Sequence, residues 1–96
     1  MIQYKITHSE NWNLLEFELA QNIQPADLKK ITLPDLKDFY NKGVVISGRG
    51  PVWLYGVLIH HFHPTRFIAT FEPRLNAGVV IETHETEFQI GNLIQL

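Results

Sequence analysis

The fold depends on VVISGRGPVWLYGVLIHHFH, residues 44–63, where an apolar run leads through a glycine turn into a second apolar segment. Residues 43–47 form a short continuous apolar run, which is typical of a strand covered on both faces. A turn of glycine, arginine and glycine follows. Pro51 then suits the first position of a helix, because the N–H that it lacks is not needed there. The stretch therefore predicts a strand, a turn and a helix over residues 51–62.

The predicted helix has no polar face. Its apolar residues are Val52, Trp53, Leu54, Val57, Leu58, Ile59 and Phe62. A helix that is apolar all round is buried, either at the centre of a domain or in a subunit interface. In so small a domain an interface is the natural place, so we expect a homodimer.

The segments around this unit predict an α+β domain. Strands are expected at residues 2–7, 13–20, 66–71, 77–84 and 91–96, from alternating or continuous apolar runs bounded by turn residues. Two short helices are expected at 25–31 and 33–41, each opened by a proline signal. The order predicts one domain over residues 1–96, with helices on one face of a mostly antiparallel sheet.

Composition is that of a small globular domain. The chain has 96 residues, of which 45% are apolar and 19% are charged, enough for one modest core. It has no cysteine, which excludes disulfides and thiolate metal sites and fits a reducing cytoplasm. We read no signal peptide and no stretch long enough to cross a bilayer. We therefore expect a cytoplasmic protein without a membrane partner.

The charge distribution points to a compact anion as ligand. The net charge of −2 argues against a broadly basic surface for nucleic acid. Residues 43–74 nevertheless contain all three arginines and three histidines, with Glu72 as their only acid. A local basic region on a nearly neutral protein suits a small anion better than a long polyanion.

The turn formed by Ser47, Gly48, Arg49 and Gly50 is the first candidate site. Backbone N–H groups between a strand and a helix can bind an anion, and the helix dipole assists them. Arg49 would add a two-pronged phosphate contact, and Ser47 a hydroxyl donor. The turn matches neither the P-loop nor the dinucleotide fingerprint. The alternative interpretation is a plain tight turn with a solvated arginine.

His60, His61 and His63 form the second candidate. His60 and His63 share a face if the helix continues to its end, whereas His61 points away. Imidazole binds transition metals and acts as an acid or base near neutral pH, and a carboxylate would complete a set for manganese or iron. The alternative is polar residues at a helix end, which the dipole favours. Without a third ligand adjacent in sequence, the residues alone favour that alternative.

The turn FEPRLN is the third candidate, with Glu72 at the end of a strand and Arg74 just after it. In a two-layer domain we expect this turn to approach the C-terminal end of the helix, which would bring Glu72 to the histidines. The alternative is a proline turn with two solvated charges. Farther on, His84 ends a strand and shares a face with Glu82, which alone indicates little.

Together, GVVISGRGPVWLY, the following HHFH and FEPRL resemble the third family of CRISPR-associated ring nucleases, small proteins that accompany type III CRISPR systems. The likeness is dense over residues 43–84 and weaker over the N-terminal part. It implies a ferredoxin-like α+β subunit that forms a homodimer, with two dimers sandwiching one ring. It implies binding of the RNA second messenger cyclic tetra-adenylate and its cleavage with Mn²⁺ to linear di-adenylate, which switches antiviral signalling off.

The resemblance also implies roles for single residues. The important family histidine matches His63, an earlier one matches His60, and the arginine of the proline-arginine-leucine turn matches Arg74. Glu72 stands where the family has an aspartate, and its longer side chain shifts the carboxylate by about one C–C bond. The implied catalytic residues are His60, His63, Glu72 and Arg74, and the implied metal ligands are His60, His63 and Glu72. The implied ring-binding residues are Ser47, Gly48, Arg49, Gly50 and His84.

Two other activities remain open from the sequence. The domain could bind cyclic oligoadenylate as a sensor without cutting it, since some relatives carry this unit fused to another domain. It could also act as a manganese-dependent exonuclease at RNA 3′ ends, an activity described for the same family.

Overall fold

A mixed six-stranded β-sheet forms the body of the molecule in the computed structural model, which describes all residues from 1 to 96. Its strands are β1 (Ile2–His8), β2 (Trp12–Leu19), β3 (Gly43–Ser47), β4 (Phe67–Glu72), β5 (Ala77–Thr83) and β6 (Leu93–Gln95). Helix α1, Val52–His61, lies between β3 and β4 in the chain. The strand, turn and helix predicted from residues 43–62 are confirmed, and so is the α+β class.

Every strand lies beside its neighbours in sequence, in the order β1 to β6. The central strands β2, β3 and β4 are parallel, whereas β1, β5 and β6 join the sheet in antiparallel pairs. The connections β2–β3 and β3–β4 both step in the same direction across the sheet. Because crossovers between parallel strands are right-handed, both connections lie on the same face of the sheet. Leu28 and Leu36 of the first connection accordingly pack on the same core as Leu58 of α1.

The sheet differs from the expected one in two respects. Three of its five strand pairings are antiparallel, as expected, but β2–β3 and β3–β4 are joined by crossovers and pair in parallel, so the sheet is mixed. The ferredoxin-like arrangement is not confirmed: its split βαβ units separate parallel strands by another strand, whereas here the parallel strands are direct neighbours.

The two short helices are less regular than predicted. They are 3₁₀ segments, Pro25–Lys29 and Leu36–Asp38, rather than helices over 25–31 and 33–41. Pro34 lies between them, and the residue before a proline is disfavoured in helical conformation. Segments this short are typical of 3₁₀ geometry, which connects elements without needing a long hydrogen-bonded run.

The sheet has a buried core on each face. The helix side buries Leu15, Phe17, Ile23, Phe39, Val44, Ile46, Leu54, Leu58, Phe62 and Ile68, and the other side buries Val45, Phe67, Ala69, Val80 and Ile94. Alternate residues of β3 enter opposite cores, which explains why that strand is apolar throughout. The second core is closed by the segment after β5, where Phe88 stacks on Phe67 with ring centroids 4.3 Å apart.

Helix α1 packs on the sheet with only part of its surface. Leu54 and Leu58 are fully buried, whereas Val52 is 86% exposed and Trp53 is 37% exposed. The expectation of a helix buried all round is therefore wrong for the single chain, and the homodimer stays a prediction. Neither α1 nor the 3₁₀ segments have the length and apolar character needed to span a membrane.

Gly43 provides a test of this packing. In Gly43→Ala the new Cβ would overlap the Phe67 ring, which also stacks on Phe88 and is therefore restricted in moving away. We expect the free energy of unfolding to fall by about 1–3 kcal/mol, measured by urea denaturation. Gly56→Ala is the matched control, because nothing lies within 4 Å of its added Cβ and alanine favours the helix by about 0.5–1 kcal/mol. Equal losses in the two variants would contradict the packing described.

Candidate functional site

Three side chains meet where α1 ends and β5 ends: His63, Glu82 and His84, referred to below as the His–Glu–His cluster. The Nδ1 atom of His63 lies 2.8 Å from Oε2 of Glu82, and Nε2 of His84 lies 3.7 Å from the same oxygen. The two imidazole rings meet edge to face, with centroids 5.0 Å apart. No other three histidine, aspartate or glutamate side chains converge this closely.

A register shift between β4 and β5 brings Glu82 into the cluster. Val80 pairs with Ala69 and belongs to the far core, and a regular strand would place Glu82 on that same face. The register shifts by one residue between Ile68 and Ala69, so Glu82 lies opposite Ile68, whose side chain is in the helix-side core. Directly opposite residues share a face, and Glu82 therefore points to the side on which α1 delivers His63.

Hydrogen bonds to the connection between α1 and β4 hold the cluster in position. The backbone N–H of His84 donates to the Arg66 carbonyl at 2.9 Å, and its Nε2 lies 2.9 Å from the His63 carbonyl oxygen. The buried hydroxyl of Thr65 donates to the Phe62 carbonyl at 2.7 Å and closes the turn after the helix. The two histidines are thus fixed by backbone contacts as well as by Glu82.

The donor set of the cluster fits a divalent transition metal. Two imidazoles and one carboxylate suit ions such as Mn²⁺ and Fe²⁺, and leave coordination positions open for water or substrate. The side chains are accessible to such ligands, with His63 61% and His84 47% exposed. The residues that would hold the ion are His63, Glu82 and His84.

Glu72 lies at the opposite end of β4 from this cluster. It lies four positions after Ile68, the partner of Glu82, and at about 3.3 Å per residue this places it about 13 Å farther along the strand. The expected approach of Glu72 to His60 and His63 is therefore not found. Helix α1 runs back along the sheet and ends near the start of β4, whereas Glu72 lies where that strand ends.

Glu72 binds Arg74 instead of the histidines. The Arg74 guanidinium donates from Nε to Oε2 at 3.2 Å and from Nη2 to Oε1 at 3.1 Å, and the Arg74 N–H donates to Oε2 at 2.9 Å. The side-chain hydrogen bonds, and then the backbone one, lower the pKa of Glu72 below its usual value. The side-chain hydrogen bonds, and then the negative charge of Glu72, raise the pKa of Arg74. The pair thus stabilises the charged form of each partner.

His60 and His61 are also outside the cluster. His60 is exposed beside an apolar groove that Trp53 helps to line, and Nε2 of His61 lies 2.6 Å from the Pro34 carbonyl oxygen. The expected shared face of His60 and His63 requires a helix that continues through residue 63. The helix ends at His61, and Phe62 has φ −89° and ψ 7°, so the chain turns before His63.

The loop from Ser47 to Gly50 lies at the N-terminal end of α1. The helix has 10 residues and is therefore about 15 Å long, which separates the loop from the His–Glu–His cluster. A Cβ on Gly48, which has φ 156°, would lie 2.6 Å from the Phe17 carbonyl oxygen, so the backbone passes too close for a side chain. The Tyr55 hydroxyl donates to the Gly48 carbonyl at 2.7 Å, and burial raises the pKa of Tyr55, which keeps the donor protonated. The loop is held in place while Arg49 stays exposed.

Sequence reasoning assigned neither Glu82 nor His84 as a metal ligand: it gave Glu82 no role and expected His84 to bind the ring. The sequence did indicate that Glu82 and His84 share a face, because they are two residues apart in a strand. It did not indicate that His63, 19 residues before Glu82, would meet them. The predicted site residues thus lie in two places. His63, His84 and, outside the cluster, His60 are at the C-terminal end of α1, whereas the glycine loop, Glu72 and Arg74 are at the other end.

The fold and site define a small α+β domain that carries an arginine-bearing glycine loop and a separate cluster suited to a divalent cation. Residues 16–95 match the family described as CRISPR-associated protein (Cas_csx3), and the chain belongs to that family. A similar protein from Aquifex aeolicus (strain VF5), described as uncharacterized, is 46% identical over 89 residues, which cover 91% of this chain and 80% of the relative.

Proposed function

We propose that this CRISPR-associated protein is a manganese-dependent ring nuclease that cleaves cyclic tetra-adenylate to linear di-adenylate. It would act in the cytoplasm, where cleavage of this messenger would end the antiviral signalling of a type III CRISPR system. Family membership supports the CRISPR role. The observation that carries the chemistry is the convergence of His63, Glu82 and His84 on one accessible point.

The cluster has the groups that phosphodiester cleavage requires. Mn²⁺ bound by its three side chains would supply Lewis-acid polarisation of a phosphate oxygen. His63 is the most exposed of the three, and its imidazole nitrogen would be the ligand that is most accessible from solvent. The attacking oxygen, which belongs to a ribose 2′-hydroxyl or to water, gives its proton to solvent, and the leaving 5′-oxygen takes a proton from water.

The charged groups at the other end of α1 suit binding rather than bond cleavage. Arg49 is exposed in the glycine loop. Together with Pro73 it lines a groove between α1, the glycine loop and the β4–β5 hairpin, and Arg74 follows Pro73 in the turn of that hairpin. We assign these arginines to the phosphates of the ring that are not reacting. Affinity at this surface should be moderate, since uniformly tight binding traps the messenger without speeding its cleavage.

The distance between loop and cluster favours an assembly of several subunits. One compact ring does not readily engage both ends of a helix that is about 15 Å long. In the proposed tetramer of two homodimers, the loops of one dimer bind the ring and the cluster of a neighbouring subunit cleaves it. Two-fold symmetry suits a ring with repeating phosphates, because each subunit offers the same loop to one part of it.

A time course with cyclic tetra-adenylate, with and without Mn²⁺, tests the proposal by chromatography of the products. Linear tetra-adenylate is assayed in parallel. We expect linear di-adenylate to form only with Mn²⁺ and the ring to be preferred over the linear substrate. An intact ring that co-elutes with the protein would identify a sensor, and trimming of only the linear substrate from its 3′ end would identify an exonuclease. Either result would overturn the proposal.

A further inference from the structure

His84 follows the last residue of β5, so the pairing of the strands does not fix it. The strand ends at Thr83, and residues 84–92 form bends and turns before β6 begins at Leu93. The His84 side chain is 47% exposed, and its Nε2 contacts only the backbone of His63 and, farther away, Glu82. A ligand in a connecting segment needs further contacts to keep its position, because such segments are more mobile than the strands that they join.

Arg66 contacts the turn around His84 at two points. Its carbonyl accepts the backbone N–H of His84 at 2.9 Å, and its guanidinium pairs with the carboxylate of Glu85. The backbone N–H of Arg66 in turn donates to the Lys42 carbonyl at 3.1 Å, which fixes Arg66 to the residue that precedes β3. A single residue at the start of β4 thus holds both the ligand and the residue after it.

Glu85 is the buried partner of this ion pair. Its side chain is 14% exposed, whereas that of Arg66 is 52% exposed. The Thr83 hydroxyl donates to the Glu85 carbonyl at 3.0 Å, and the Glu85 N–H donates to the same hydroxyl at 3.1 Å, so the residues on both sides of His84 are joined. A carboxylate withdrawn this far from water keeps its place only while a cation pairs with it. Loss of Arg66 would therefore release Glu85 towards solvent and move His84 with it.

We propose that the Arg66–Glu85 pair positions His84 for the divalent cation, so that both are positioning residues of the His–Glu–His cluster. The inference rests on the proposed function, because it takes the cluster as the Mn²⁺ site. Glu85 is not itself one of the converging side chains. Outer contacts that orient a metal ligand typically contribute about 10–100-fold to metal affinity, whereas a plain surface ion pair contributes little to stability.

The sign of the change in Mn²⁺ affinity separates positioning from a direct effect of charge. Affinity is measured without substrate, by electron paramagnetic resonance of the free ion. Arg66→Ala and Glu85→Ala should each weaken Mn²⁺ binding by about tenfold or more, because either substitution frees the turn. Charge alone would act in opposite directions, since loss of a cation strengthens Mn²⁺ binding and loss of an anion weakens it. Stronger binding by Arg66→Ala, or unchanged affinity in both variants, would overturn the proposal.

Combined and conservative variants test whether the two residues act as one unit. The double variant Arg66→Ala/Glu85→Ala should bind Mn²⁺ no more weakly than the weaker single variant, and losses that multiply would refute a shared role. Arg66→Lys keeps the charge and should restore part of the affinity. Glu85→Gln keeps the shape of the side chain and carries the prediction if an alanine variant does not fold. Lys5→Ala removes an exposed cation opposite Glu16 and, as the matched control, should leave Mn²⁺ affinity unchanged.

Hydrogen exchange gives a second readout in the metal-free protein. The His84 amide should exchange about tenfold faster in Arg66→Ala and in Glu85→Ala than in the unmodified protein, measured by NMR. The Phe62 amide, which donates to the Leu58 carbonyl at 3.0 Å, should keep its rate. Equal acceleration of both amides would show a general loss of stability and overturn the local role.

Ring cleavage, measured on the same preparations, separates this inference from the proposed function. Manganese-dependent cleavage together with unchanged Mn²⁺ affinity in the Arg66 and Glu85 variants would refute the positioning role and leave the ring nuclease standing. Weakened Mn²⁺ binding in these variants, without ring cleavage by the unmodified protein, would keep the positioning role and refute the nuclease. Absence of Mn²⁺ binding by the unmodified protein would refute both.

Discussion

His63→Ala should lose nearly all ring cleavage, with kcat reduced by about 10²–10⁴-fold. The substitution removes one of the three ligands of the His–Glu–His cluster, and the most exposed of them. Affinity for cyclic tetra-adenylate, measured without Mn²⁺, should change by less than about threefold, because ring binding is assigned to Arg49 at the opposite end of α1. The measurement is a comparison of initial rates and equilibrium binding.

His8→Ala is the matched control for this loss. His8 is also an exposed histidine, and its Nδ1 lies 3.0 Å from Oδ1 of Asn13, outside the cluster. It should keep kcat near that of the unmodified protein once correct folding is verified by thermal unfolding. Normal cleavage by His63→Ala would remove the cluster from the mechanism. A loss of ring binding with normal turnover would place His63 in the binding surface instead.

Arg49→Ala should show the opposite kinetic pattern, with KM for the ring raised by about 10–100-fold and kcat nearly unchanged. The loop is held by the hydrogen bond from Tyr55 to the Gly48 carbonyl, and Arg49 is exposed at the mouth of the groove. Loss of the guanidinium therefore removes a charge-assisted phosphate contact and leaves the cluster intact. Initial rates over a range of ring concentrations measure both constants.

Two further variants separate charge from geometry at this position. Arg49→Lys keeps the charge but loses the two-pronged donor and should give an intermediate KM. Lys30→Ala removes an equal charge from the exposed connection between β2 and β3 and should leave KM close to its original value. A lower kcat with unchanged KM in Arg49→Ala would show that this arginine acts on the reacting phosphate.

The parts of the fold that the sequence predicts are those with local causes. The apolar run of β3, the glycine turn and Pro51 lie within a few residues of one another, and each restricts the backbone directly. Strand pairing has no such local signal. The alternating pattern of β2 predicts that Leu15 is buried. It does not predict that Leu15 lies between Ile6 of the antiparallel strand β1 and Ile46 of the parallel strand β3.

The candidate site divides in the same way. The glycine loop follows from consecutive residues, whereas the cluster joins His63 to residues 19 and 21 positions farther on. The cluster could be predicted only if two positions were known to within one residue. These are the end of α1 at His61 and the register shift of β5 beside Ile68. Glu72 was misplaced relative to the histidines because the sequence does not state at which end of β4 the helix delivers them.

A manganese titration of ring cleavage by Glu82→Gln and by Glu72→Gln tests most directly the claim that the cation acts at the His–Glu–His cluster. Glutamine keeps the shape of each side chain and removes its charge. We predict that the Mn²⁺ concentration for half-maximal cleavage rises by about tenfold or more in Glu82→Gln, and much less in Glu72→Gln. A larger shift in Glu72→Gln than in Glu82→Gln, or cleavage that is independent of manganese in the unmodified protein, would contradict the account.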